Sequence, residues 1–120
     1  MLLLALLFTV PAAEVRAQSP TSLAGRTIQL TISSGSFPFA SSGSYRFLPS
    51  ALDSAYAIVP ISGSIAASTG THTYTKTGTS TASLALADTF GALNVNCTFS
   101  TANSGSYVLT GLGGSQSGTF

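Results

Sequence analysis

The sequence predicts an all-β protein, an antiparallel up-and-down barrel built from a single domain. Three observations carry that reading. Beyond residue 17, apolar residues recur at every second position in short runs, and no window spaces them along a helix face. Clusters of Gly, Ser, Asn and Pro bound those runs at hairpin distances. A chain of 120 residues supplies one domain, and its one-sided apolar face is buried most simply by curling the sheet into a closed barrel. A two-sheet sandwich is the alternative architecture.

The N-terminal residues stand apart from this pattern. Residues 2–13, LLLALLFTVPAA, are almost wholly apolar, and Glu14-Val15-Arg16-Ala17-Gln18 follows, with Val15 and Ala17 at the −3 and −1 positions of a signal-peptidase site. Residues 1–17 therefore read as a secretory signal helix cleaved after Ala17, which sends the mature chain to the periplasm or outside the cell. The apolar run falls short of the ~20 residues that span a bilayer, so no stable membrane anchor is expected. Residues 18–24 read as a linker, and 25–120 as the barrel domain.

The strands then follow in order. In Thr27–Ile32, Ile28, Leu30 and Ile32 oppose Thr27, Gln29 and Thr31, and Ser44-Tyr45-Arg46-Phe47 comes next. Between Ala55 and Ile61, Tyr56 and Ile58 compete with Val59 and Ile61 for the core face; Pro60 cannot donate to a ladder and marks an edge, a bulge or the strand's end. In 71–77, His72, Tyr74 and Lys76 alternate with Thr71, Thr73, Thr75 and Thr77. Tyr74 belongs in the core, so the threonines face water, His72 lies inside or at the rim, and Lys76 snorkels out of the barrel mouth. Ala82–Leu86 follows, then Leu93–Phe99, where Leu93, Val95, Cys97 and Phe99 alternate cleanly with Asn94, Asn96 and Thr98. Tyr107-Val108-Leu109 and Gly118-Thr119-Phe120 complete the set, with the Gly-rich stretch 111–115 as a hairpin connection between them.

A short unit punctuates these boundaries: SGSF at 34–37, SGSY at 42–45, SGSI at 62–65, SGSY at 104–107 and SGTF at 117–120. It reads as a turn leading into a strand, the glycine supplying positive φ and the apolar residue opening the next inward row. The last strand holds few residues before Phe120. Either the chain is a fragment, or the barrel closes with a stub and leaves part of the first strand unpaired, an edge open to self-association.

Composition excludes several functions. Five charged residues follow Ala17, namely Arg26, Arg46, Asp53, Lys76 and Asp88, so there is no basic footprint for nucleic acid. Ser and Thr make up roughly a third of residues 18–120, and solubility comes from hydroxyls rather than charge. Cys97 is the only cysteine, so no internal disulfide forms. One His, one Cys and two carboxylates at unrelated spacings make no metal site, and no cofactor is expected. Parity turns Cys97 inward and puts Asp88 in register with Leu84 and Leu86, so a Cys97-His72-Asp88 set is geometrically open. Nothing local activates the thiol, packing is the stronger reading for Cys97, and Asp88 before Thr89-Phe90-Gly91 reads as a turn residue. Asn96-Cys97-Thr98 matches a glycosylation sequon, which has meaning only in a eukaryotic source. The Thr row of 71–77 has a poor neighbour in Ser83, Ala85 and Ala87 and does not extend into a binding plane.

Gly70-Thr71-His72-Thr73-Tyr74-Thr75-Lys76-Thr77-Gly78, then Thr81-Ala82-Ser83-Leu84, Phe99–Tyr107 and Gln116-Ser117-Gly118-Thr119-Phe120 together resemble a family of secreted bacterial β-rich domains. In that family a GTYTYTKTG hairpin precedes a TAxL strand, and a late FxSAxSGx(Y/F) turn precedes a final QSGTF strand. The resemblance implies a calycin-like or lipocalin-like barrel in an extracytoplasmic protein and brings no catalytic residue. His72 stands where the pattern has an aromatic, which suits a packing role.

Two roles are therefore expected ahead of an enzyme. One is a secreted, non-enzymatic domain with a structural or interaction role at the cell surface or in the periplasm. The other is a carrier for a small apolar ligand, bound among Tyr45, Phe47, Tyr56, His72, Tyr74, Phe99 and Tyr107.

Overall fold

The computed structural model describes residues 18–120; the expected signal helix and its cleavage site lie outside the described residues. The alternating runs become eight strands: β1 (Ile28–Gly35), β2 (Gly43–Pro49), β3 (Ala55–Ser62), β4 (Ser68–Lys76), β5 (Thr81–Asp88), β6 (Gly91–Thr101), β7 (Ser104–Gly111) and β8 (Gly114–Thr119). Each pairs antiparallel with the next, and β8 returns to β1, so the sheet is a closed up-and-down barrel rather than a sandwich. Period-two alternation sends one row of each strand inward. Leu30, Ile32, Tyr45, Phe47, Tyr56, Leu84, Leu86, Leu93, Val95, Tyr107 and Leu109 form one buried cluster, while Thr69, Thr71, Thr73 and Thr75 of β4 face water.

Closure is uneven. β8 pairs with β1 from Thr31 to Gly35, with a register shift between Ile32 and Ser34. Ile28, Gln29 and Leu30 pair with β2 alone. Phe120 exchanges two 3.0 Å backbone hydrogen bonds with Gly105 and turns its ring against Phe99, 5.0 Å between centroids.

In β3 the core face goes to Tyr56 and half-buried Ile58, whereas Val59 and Ile61 are 40% and 42% exposed. The register shift opposite Ser44 and Tyr45 skips Ile61, and β3 beyond Ile58 has no partner in β4, so Pro60 sits where no ladder needs its missing N–H.

The repeated SGS unit needs correction in two respects. Gly43 and Gly63 do adopt positive φ, +116° and +87°. Gly35, Gly105 and Gly118 lie in strands without positive φ, and a Cβ on any of them would strike a backbone carbonyl of a neighbouring segment, as it would on Gly43 at the start of β2. The residue after the unit turns inward at Tyr45 and Tyr107, but Phe37 is 91% exposed. The hairpin between β7 and β8 turns at Leu112 and Gly113, both with positive φ, as a primed two-residue turn requires.

Residues 18–27, expected in part as a linker, pack across the barrel end where β1 begins. The Ser19 amide donates to the Thr79 carbonyl at 2.8 Å, the Ser19 hydroxyl to the Gly78 carbonyl at 2.9 Å, and the Tyr74 hydroxyl to the Pro20 carbonyl at 2.8 Å. Leu23 enters the core cluster. This end is called lower below, and the end carrying the β3–β4 and β5–β6 hairpins is called upper.

Candidate functional site

Two cavities flank a filled waist. The lower one, about 310 Å³, is lined by Leu23, Ile28, Leu30, Phe47, Val95 and Phe99 among others, with Arg26 as its charged residue. The upper one, about 440 Å³, is lined mainly by Phe39, Ile65, Phe90, Leu93, Leu109 and Leu112, with Asp88 as its charged residue. Tyr45 and Ile58 line both, so these two side chains form the partition between them.

The partition is held by a buried polar network. The hydroxyls of Tyr45 and Tyr107 each donate to Gln116 Oε1 at 2.9 Å, and Gln116 Nε2 donates to the Ala40 carbonyl at 3.2 Å. Strand register delivers these groups: Tyr45 lies opposite Leu30 on β1, and Gln116 lies opposite Leu109, two residues along β7 from Tyr107. Burial, reinforced by the adjacent Tyr107, pushes the Tyr45 phenol far above its ordinary range. Both tyrosines therefore stay neutral donors, and Gln116, only 5% exposed, is satisfied at its amide oxygen and nitrogen. Gln116 escaped the sequence reading, although its parity with Gly118 and Phe120 in the last strand does turn it inward.

Of the seven residues expected to bind a ligand, Tyr45, Phe47, Phe99 and Tyr107 line the lower cavity. Tyr56, His72 and Tyr74 line neither cavity. His72 stacks edge-on against Phe47 and Tyr56, with centroids 5.8 and 6.2 Å away, and Tyr74 is tied to the N-terminal segment. Lys76 is exposed at the end of β4.

Cys97, His72 and Asp88 do not assemble. On β5, Ala82 faces Cys97 and Asp88 faces Gly91; the six positions from 82 to 88 span roughly 20 Å of strand. Cys97 is a free, half-buried thiol that burial pushes up to about 11, the opposite of an activated nucleophile. Asp88 faces the upper cavity, accepting hydrogen bonds from the Tyr56 hydroxyl and, at 2.9 Å, from the Ser68 hydroxyl. It also accepts from the Phe90 amide at 3.1 Å, so the expected turn role and the inward parity hold together. Among the described residues no group of three or more His, Cys, Asp or Glu could hold a metal ion.

Comparison of the chain with family models, curated proteins and solved structures gave no match.

Proposed function

We propose that the protein is an extracytoplasmic, non-enzymatic β-barrel that binds a small apolar molecule inside one of its ends. The observation that carries this is the pair of largely carbon-lined cavities of about 310 and 440 Å³, within the ~300–1,000 Å³ that holds small ligands. Aromatic and branched side chains supply shape and apolar surface, and a single charged side chain at each cavity supplies orientation. The apolar segment 2–13 with Val15 and Ala17 supports secretion, and the raised Cys97 thiol, remote from Asp88, supports a role without nucleophilic catalysis.

The test uses the neutral fluorophore N-phenyl-1-naphthylamine on the purified mature chain. Its emission is expected to rise on binding, and Val95→Trp, which fills the lower cavity, and Leu109→Trp, which fills the upper, should each remove about half of the signal. A variant counts only if circular dichroism shows an intact barrel. No emission change with the folded wild-type protein rejects the reading.

A further inference from the structure

The two cavities differ in charge, and the difference points to different guests. Only two carboxylates occur beyond residue 17, Asp53 and Asp88. Asp53 is exposed and accepts from the Ala55 amide at 2.9 Å, a turn contact. Asp88 is half-buried at the top of β5 and lines a cavity whose other walls are mostly apolar and contain no basic side chain.

We propose that the upper cavity is a site for a small apolar amine, with the ammonium group on Asp88 and the hydrocarbon body against Phe39, Ile65, Phe90, Leu93 and Leu109. This rests on the reading of the barrel as an interior binder and narrows it to a ligand class. The Tyr56 and Ser68 hydroxyls and the Phe90 amide are all neutral donors. They fix the carboxylate's direction and leave its negative charge without a counter-ion in the cavity. A carboxylate offers about four acceptor positions, so three donors do not exhaust it. In apolar surroundings an uncompensated charge is costly and a matching cation is favoured more strongly than in water. Burial, followed by the contact with Asp88, raises the Tyr56 phenol well above its ordinary range, so Tyr56 remains a donor to Asp88 and does not compete with it as an anion. The lower cavity supplies an internal contrast, since its charged residue is Arg26, which repels an ammonium group.

The experiment is displacement of N-phenyl-1-naphthylamine from the upper cavity of the Val95→Trp protein by octylamine, 1-octanol and octanoate at neutral pH and low salt. Octylamine is expected to displace the probe about tenfold more tightly than octanol, as a charge-assisted hydrogen bond allows, with octanoate the weakest of the three. Asp88→Asn removes the charge and keeps one oxygen, which still accepts from the Tyr56 and Ser68 hydroxyls; octylamine should then displace the probe no better than octanol. In the Asp88-containing protein, added NaCl should shrink the octylamine preference and leave octanol unmoved, a check that does not depend on how the variant folds. Octanol displacing the probe as well as octylamine, or a preference that survives Asp88→Asn, overturns the amine site alone. Failure of the probe itself to bind overturns the interior reading and this one together.

Discussion

His72 Nδ1 is a buried side-chain polar atom with no hydrogen-bond partner, and the ring around it touches Phe47 and Tyr56 edge-on. An orphaned buried acceptor or donor lowers stability, whereas an apolar group of like shape at the same place does not. His72→Phe should therefore raise the unfolding free energy by about 1 kcal/mol in urea denaturation; a loss of that size means the imidazole makes a contact that matters to the fold. The sequence made this residue's position legible through the parity of Tyr74. It left Asp88 open between two roles, turn residue and inward residue, because one carboxylate serves both. Gln116 was hidden for another reason: a polar side chain at an inward position is predicted only when its partners are known, and Tyr45 comes from a strand remote in sequence, while Tyr107 is brought to it by the β7–β8 register.

At the level of strands, the seam between β8 and β1 depends on a bare backbone. A Cβ on Gly118 would run into the Thr31 carbonyl across the seam and press on the Tyr107 ring, which covers the glycine from inside. Gly118→Ala is expected to cost about 2 kcal/mol, the scale of overpacking in a filled core. Hydrogen exchange should accelerate in β1 and β8 before the β4–β6 strands; uniform acceleration around the barrel would refute a local seam. The strands themselves were plain in the alternation, with β4 and β6 read on the right face residue by residue. The glycines were harder, since the same Ser-Gly-Ser letters serve a positive φ at Gly43, where β2 opens, and a close strand approach without it at Gly105. Only the paired strand distinguishes those uses, and pairing is not local.

For the molecule as a whole, the hydrogen-bonded wall opens where β3 beyond Ile58 and β4 beyond His72 part from each other, and again at the start of β1, where Ile28, Gln29 and Leu30 pair on one side only. Unpaired strand edges invite another strand, and a structural or interaction role for the domain would begin there, with two copies meeting edge to edge. Light scattering is expected to show concentration-dependent dimers that Gln29→Lys abolishes, a charge on the edge being an established way to block pairing; a strict monomer at high concentration argues against this. Barrel closure was legible because an alternating sequence of this length has few other ways to cover one face. The upper cavity was not, because Phe39, Ile65 and Phe90 come from connections that carry no period. The partition of Tyr45 and Ile58, anchored through Gln116, has a kinetic consequence. With the waist shut, the two chambers do not communicate through it, so a guest held at one end would not be pushed out by one arriving at the other.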